Sequence, residues 1–164
     1  MTFKNQTQQI DANFDVKIME KALNLARGCE KKGEVPIAAI LTDKNKKIIS
    51  WGTNLRESKS TVLGHAELVA LHRACQKMKS WRLPECTLYV TLEPCFMCAG
   101  ALVQARIGRV VFGARDPKGG ALVSLAHLGS DSRLNHRFEI TEGVCSNECS
   151  QILKDFFKKR RNKD

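Results

Sequence analysis

One histidine and two cysteines carry the clearest chemical signal in the sequence. His65 stands in a His-Ala-Glu triplet, and Cys95 and Cys98 stand in a Pro-Cys-Phe-Met-Cys stretch. Imidazole and thiolate are ligands that Zn²⁺ prefers, and a catalytic zinc site has three protein ligands and keeps a fourth position for water. The sequence therefore predicts a catalytic zinc site with these three residues as its ligands.

The spacing of the two cysteines suits a single metal ion. Residues three apart lie on one side of a helix, so both sulfur atoms could reach the same ion. Proline favours the first position of a helix, and we predict that this helix begins at Pro94. The positive end of the helix dipole would then favour the thiolate form that metal binding requires.

Glu67 is predicted to transfer protons rather than to act as a fourth ligand. It is two residues from His65, so the two side chains cannot point the same way on a helix. Two thiolates and a neutral imidazole leave the zinc site formally neutral, and the metal would lower the pKa of its water less than an all-histidine site would. A carboxylate within hydrogen-bond reach of that water would complete its activation.

A Cys-x-x-Cys pair is also typical of a structural zinc knuckle or a redox pair. The chain has no second such pair to complete a four-cysteine site. Pro94 stands where a thioredoxin-like motif has an aromatic or small residue. Cys145 and Cys149 are four residues apart but have no accompanying ligand pattern, so we expect them to be structural.

The other histidines are not expected to bind metal. His72 is two helical turns from His65, which separates them by about 10 Å. His72 is therefore predicted to be a packed or surface residue. His127 and His136 are predicted to lie in loops or to take part in packing.

A His-x-Glu motif followed by Pro-Cys-x-x-Cys is the signature of the zinc-dependent nucleoside and base deaminases. Over roughly residues 15–161 the sequence resembles the bacterial tRNA-specific adenosine deaminases of the cytidine/deoxycytidylate deaminase superfamily. The stretches that carry this resemblance, besides the signature, are GEVPIAA (33–39), GTN (52–54), YVTLEPC (89–95), GARDPK (113–118) and FFKKRR (156–161). The resemblance implies hydrolytic deamination of adenosine to inosine at the wobble position of a tRNA anticodon. We expect this tRNA to be an arginine tRNA. It also implies one Zn²⁺ per subunit, the tRNA anticodon stem-loop as partner, and a homodimer.

Three residues are predicted to contact the substrate. In the resembled family an asparagine at the position of Asn54 touches the nucleoside, and the loop that contains Asp116 borders the bound nucleic acid. An asparagine in a turn also commonly caps its own backbone. Phe157 is followed by four basic residues, which could stack on bases and meet phosphates. Basic residues at a helix end also suit the helix dipole.

The net charge of the chain favours a polyanionic partner. It is +10, with a pI near 9.5, more than an enzyme acting on a small free base would need. A guanine or cytosine deaminase acting on a free base remains the alternative, because it has the same zinc motif. A non-catalytic RNA-binding module with structural zinc is a second alternative, and it would have no need for Glu67 or for an open coordination position.

Length and cysteine content predict one domain in a reducing compartment. We expect a polar, flexible segment at 1–13 and a single domain at 14–164. We expect no signal peptide, because the first fifteen residues are polar. The seven cysteines are an odd number, and together these features favour the cytoplasm. No stretch is long and apolar enough to span a membrane.

The hydrophobic pattern predicts a three-layer α/β/α fold around a five-stranded mixed sheet, as in cytidine deaminases. A final helix is expected to bury four residues with helical spacing: Cys149, Ile152, Leu153 and Phe156. The predicted elements are a helix from about residue 15 to a stop at Gly33, strands at 37–42 and 48–54, a helix at 65–80, a strand at 86–92, a helix at 94–105, strands at 109–113 and 138–141, and the final helix from about 145.

Overall fold

The computed structural model describes residues 12–162, and its elements follow the predicted order. These are α1 (Ala12–Arg27), a short 3-10 helix (Glu30–Lys32), β1 (Ala38–Thr42), β2 (Ile48–Thr53), α2 (Ala66–Met78), β3 (Thr87–Leu92), α3 (Phe96–Gln104), β4 (Arg109–Ala114), β5 (Glu139–Glu142) and α4 (Ser146–Arg161). Of the predicted flexible segment, residues 1–11 lie outside the described residues. Every helix within the described range is too short or too polar to cross a membrane.

The five strands form one mixed sheet in the order β2-β1-β3-β4-β5. Strand β1 runs antiparallel to β2 and β3, whereas β3, β4 and β5 are parallel. The β1–β2 hairpin turns where the Asp43 carboxylate accepts hydrogen bonds from the backbone N–H groups of Asn45 and Lys47, at 2.9 Å each. The predicted five-stranded mixed sheet is therefore confirmed.

Helices cover both faces of this sheet. Successive residues of a strand point to opposite faces. Leu88 and Val90 accordingly pack in the cluster that contains α2 and α3, while Tyr89 packs in the cluster that contains α1 and the start of α4. The predicted three-layer architecture is confirmed, and the two helices that follow the predicted metal ligands lie on the same face.

The start of α3 differs from the prediction. Cys95 has an extended backbone, with ψ of 173°, and is the N-cap, so the helix begins at Phe96 and not at Pro94. The chain stays extended because Cys95 forms an isolated antiparallel bridge with Gly120. His65 is likewise the N-cap of α2, with ψ of 142°.

Helix α4 buries a narrower face than predicted. Cys149 and Phe156 are buried, whereas Ile152 and Leu153 are only half-buried. Ile152 still packs against the cluster that joins α1 to the sheet. The apolar stripe is therefore centred on Cys149 and Phe156, and the other two side chains flank it.

A buried ion pair fastens α1 to the sheet. The Asp15 carboxylate accepts hydrogen bonds from Nη1 and Nη2 of Arg109, at 2.9 and 2.6 Å, and from the hydroxyl of Tyr89, at 2.9 Å. The side chains of Arg109 and Asp15 are only 14% and 3% exposed. Removal of one partner of such a pair leaves the other charge buried without compensation.

We expect Asp15→Ala to lower the free energy of unfolding by about 3–5 kcal/mol, because Arg109 would keep its buried charge. Glu85→Ala is the control, since its ion pair with Lys44 is exposed and such pairs contribute at most about 1 kcal/mol. Urea unfolding followed by circular dichroism measures both variants. Equal losses in the two variants would contradict the role given to Asp15.

Candidate active site

The structure brings the three predicted zinc ligands together. Sγ of Cys95 and Sγ of Cys98 each lie 3.6 Å from Nδ1 of His65. All three atoms lie within 4.8 Å of one another. A tetrahedral Zn²⁺ about 2.0 Å from nitrogen and about 2.3 Å from sulfur would separate these two atom types by about 3.5 Å. The observed distances and the donor set therefore fit one tetrahedral metal ion.

Two helix N-termini converge on this group of three. His65 is the N-cap of α2, Cys95 is the N-cap of α3, and Cys98 lies in the first turn of α3. The N-terminal end of a helix carries partial positive charge and unpaired N–H groups. Both helices therefore favour negative charge at the group, which suits thiolate ligands.

Hydrogen bonds link the two thiols and the imidazole. Bonds from Cys98 and from His65 lower the pKa of Cys95 to about 3. The bond to Cys95, together with burial, raises the pKa of Cys98. The bond with Cys95 also raises the pKa of His65. Metal ligation needs both thiolates and a neutral imidazole, so metal binding at this group is expected to release protons.

Glu67 lies beside the metal-binding group but is not one of its members. It stands in the first turn of α2, is 4% exposed, and lines the same cavity as His65 and Cys95. Burial raises the pKa of Glu67 to about 7. A carboxyl group with such a pKa can accept and donate a proton near neutral pH.

A cavity of about 180 Å³ opens beside this group. Its wall includes His65, Glu67 and Cys95, together with Asn54 and Asp116. Pockets for whole small-molecule ligands commonly measure roughly 300–1,000 Å³. This cavity suits a part of a larger substrate, such as a single base.

Asn54 and Asp116 line the cavity, but each also stabilises its own turn. The side-chain oxygen of Asn54 accepts a hydrogen bond from the N–H of Arg56 at 3.4 Å. Oδ1 of Asp116 accepts hydrogen bonds from the N–H groups of Lys118 and Gly119, at 3.1 Å each. These are the local bonds that Asn and Asp commonly make in turns. A contact of either residue with substrate stays a prediction.

Phe157 does not line this cavity. Its ring is 43% exposed on α4 and packs edge-to-face on Phe156, with ring centroids 5.3 Å apart. The basic residues at 158–161 are also exposed, and Lys159 pairs with Glu30 at 2.7 Å. The ring and the cations thus form an exposed basic surface apart from the cavity, and the predicted RNA contact stays a prediction.

The remaining histidines and the Cys145/Cys149 pair belong to no metal-binding group within the described range. His72 is exposed on α2, and Nε2 of His136 lies 2.7 Å from the carbonyl oxygen of Ile107. Cys149 packs tightly on Gly113, where an added Cβ would lie 2.3 Å from its Sγ. Close packing against Gly113 is enough to explain a cysteine at position 149, without a role in metal binding.

Two buried carboxylates beside the cavity were not singled out by the sequence analysis. Glu93 lines the cavity, and Glu34 precedes Val35, which also lines it. A signal was available, because an acidic residue within an otherwise apolar stretch needs hydrogen-bond partners if it is buried. Glu93 stands in such a stretch, directly after strand β3.

Known proteins with similar sequences are deaminases. The family model of MafB19-like deaminases matches residues 13–161. A tRNA-specific adenosine deaminase of Haemophilus influenzae is 47% identical over 153 residues, which cover 93% of this chain and 88% of the relative. A second, from Bacillus subtilis, is 46% identical over 149 residues, covering 91% and 92%.

Solved structures agree with this relationship. A structure from studies of A-to-I editing by tRNA:A34 deaminases at the wobble position of transfer RNA has a TM-score of 0.79 at 39% identity, covering 84% of this chain and 99% of that one. A guanine deaminase from Nitrosomonas europaea has a TM-score of 0.72 at 23% identity, covering 84% and 81%, and shares the fold. The chain therefore belongs to the MafB19-like deaminases and, within them, to the tRNA-specific adenosine deaminase family.

Proposed function

We propose that this protein hydrolyses adenosine to inosine at the wobble position of a tRNA anticodon, with an arginine tRNA as substrate. The observation that carries the proposal is the small cavity lined by His65, Cys95 and Glu67. It joins a metal-binding group to a buried carboxyl group, and the curated relatives with 39–47% identity are tRNA-specific adenosine deaminases.

Zn²⁺ is the proposed cofactor, one per subunit. His65, Cys95 and Cys98 would hold it, and their spacing of 3.6 Å between nitrogen and each sulfur supports this. When bound, zinc would act as a Lewis acid and lower the pKa of a water molecule towards neutrality.

Glu67 would handle the protons of the reaction. It takes a proton from the attacking water and gives it to the ring nitrogen of adenine. The water oxygen adds to C6, and Glu67 then takes the proton of the new C6 hydroxyl group and gives it to the departing amino group. The C6–N bond breaks, so adenosine and water yield inosine and ammonia.

The cavity is of a size to receive a single base that has been flipped out of the RNA stack. A base in an anticodon loop is unpaired and can be splayed out at low cost. In this proposal Asn54 and Asp116, on the cavity wall, contact the inserted nucleoside. The anticodon stem-loop is then the part of the tRNA that the enzyme binds.

The basic surface at the end of α4 would contact that RNA. An exposed aromatic ring can stack on a base, and neighbouring cations can neutralise phosphates. Phe157 is 43% exposed, and the basic residues that follow it are exposed as well. The net charge of +10 supports the same partner.

We expect Phe157→Ala to raise KM for an anticodon stem-loop RNA by about 5- to 150-fold, because stacking on one base contributes about 1–3 kcal/mol. Val16→Ala is a matched control, since Val16 is 41% exposed on α1 and has no proposed RNA contact. Steady-state kinetics at fixed ionic strength measures both variants. An unchanged KM for Phe157→Ala would remove this residue from the RNA contact.

A homodimer is the proposed assembly. Large apolar side chains are exposed in segments that meet beside the metal-binding group: Val62, Leu63, Phe96 and Leu125, at 51–68% exposure. Leu125 donates its N–H to the carbonyl of Gly120, which bridges to Cys95. A second subunit covering these side chains would remove them from water. Light scattering after gel filtration would give twice the chain mass for the dimer and the chain mass for a monomer.

We also propose that residues 14–164 form a single domain and that the protein acts in the cytoplasm. The support for the cytoplasm is chemical: metal ligation needs thiolates, and a reducing compartment keeps them available.

The decisive assay offers the zinc-loaded protein an arginine tRNA with adenosine at the wobble position, followed by RNA digestion and quantification of inosine. Free adenosine, guanine and cytosine are parallel substrates. Inosine at that position alone is the expected result. Ammonia released from a free base, without inosine in the tRNA, would show that the protein is a metabolite deaminase and not a tRNA deaminase.

A further inference from the structure

Glu34 and Glu93 are buried carboxylates that contact two loops of the cavity wall. Glu34 is 0% exposed and Glu93 is 2% exposed. Within residues 12–162 neither forms an ion pair. A buried carboxylate is costly unless hydrogen bonds compensate it, so the partners of these two residues indicate their role.

Glu93 binds both ends of the loop at 116–124. Its carboxylate accepts hydrogen bonds from four backbone N–H groups and from one hydroxyl group. The backbone donors are Asp116 (3.0 Å), Leu122 (3.2 Å), Val123 (2.8 Å) and Ser124 (2.9 Å), and the hydroxyl is that of Ser124. One side chain therefore fixes the loop that carries Asp116 into the cavity wall.

The same loop is joined to the residues around Cys95. Gly120 bridges to Cys95, and the N–H of Ala121 donates to the carbonyl of Pro94 at 2.9 Å. A Cβ on Gly120 would lie 2.2 Å from Cδ of Glu93. The loop thus lies directly against the buried carboxylate, next to a proposed metal ligand.

Glu34 holds the loop at 55–64 in the same way. Its two carboxylate oxygens accept hydrogen bonds from the N–H groups of Glu57, at 3.2 Å, and Ser58, at 2.7 Å. Arg56 and Glu57 line the cavity, and this loop leads into His65. Glu34 is itself followed by the cavity residue Val35.

We propose that Glu34 and Glu93 are positioning residues that hold the two cavity loops in the arrangement that receives the substrate base. Glu93 sets the place of Asp116, and Glu34 sets the place of Arg56 and Glu57. Loops fixed before binding lose less conformational freedom when the substrate arrives, which favours binding and orientation. The identity of the base rests on the proposed function, whereas the anchoring of the loops does not.

Hydrogen exchange tests the anchoring without any substrate. Glu93→Gln keeps the size of the side chain but turns an amide N–H₂ group towards backbone N–H donors. We expect backbone exchange at 116–124 to accelerate about tenfold or more, which corresponds to about 1.4 kcal/mol, with exchange at 55–64 unchanged. Glu34→Gln should give the reverse pattern, so each variant is the control for the other.

Kinetics of the same variants separates positioning from general stability. We expect each Gln variant to keep one zinc per chain and to raise KM for the stem-loop RNA about tenfold, with a smaller change in kcat. Faster exchange throughout the chain, or faster exchange with an unchanged KM, would assign the carboxylates a purely structural role. Unchanged loop exchange would overturn the inference outright. A wild-type protein that forms no inosine would instead refute the proposed function and leave the exchange result standing.

Discussion

Glu67→Ala is expected to leave zinc bound and to lower the rate of inosine formation by about 10²- to 10⁴-fold, the range that general acid–base groups contribute. The variant loses the buried carboxyl group beside the metal-binding group, and with it the proposed acceptor and donor of the protons. Zinc should remain, because the metal-binding group consists of His65, Cys95 and Cys98. Metal content by emission spectrometry and single-turnover formation of inosine measure the two effects.

The control for this variant is Glu57→Ala. Glu57 lines the same cavity but is exposed, and its proposed anchoring bond to Glu34 uses the backbone N–H, which alanine retains. We expect less than about a tenfold loss for Glu57→Ala, since no proton transfer depends on it. Glu67→Gln, which keeps the shape but cannot accept the proton, should be as inactive as Glu67→Ala. Retained activity in either Glu67 variant would remove this residue from proton transfer.

The fold could be predicted because its signals are local. The helices show apolar residues at helical spacing, and β3 and β4 are apolar strands that end at turns. The short spacing from Cys95 to Cys98 holds two of the ligand atoms in one helical turn. His65 lies close to these two cysteines because α2 and α3 pack on the same face of the sheet.

The error at the start of α3 has a non-local cause. Proline commonly opens a helix, so Pro94 is a reasonable first residue on sequence grounds. The bridge between Cys95 and Gly120 keeps the backbone extended for one more residue. Nothing in the stretch around Pro94 specifies a partner 25 positions further along the chain.

The hydrogen-bond partners of the buried acidic residues could not be predicted for a similar reason. Asp15 stands on the same face of α1 as Ile18, Met19 and Ala22, but its partner Arg109 is 94 residues away in sequence. Glu93 finds its donors 23–31 residues further on. Sequence periodicity identifies a buried position, whereas the hydrogen bonds that compensate a buried charge depend on the assembled fold.

Cys98→Ala is expected to abolish zinc binding and turnover together. Cys98 is 0% exposed and would supply one of only three protein ligands, so two ligands remain and the site should keep less than about a tenth of its zinc. Because a tightly bound ion stabilises the folded chain, by about 4 kcal/mol at a free concentration 1,000 times Kd, the variant should also lose the zinc-dependent part of its thermal stability. Zinc content, inosine formation, and melting with and without added zinc measure these effects.

Cys149→Ala is the matched control that separates ligation from packing. Cys149 is also 0% exposed, but it packs on Gly113 on the opposite face of the sheet and belongs to no metal-binding group in the part of the chain that the structure describes. Its loss should leave a small cavity and lower stability by about 1 kcal/mol, while one zinc per chain and most of the turnover remain. Zinc retained in Cys98→Ala would contradict the ligand assignment. Zinc lost in Cys149→Ala as well would mean that metal content depends on general packing, because the two cysteines share burial and differ in their distance from His65.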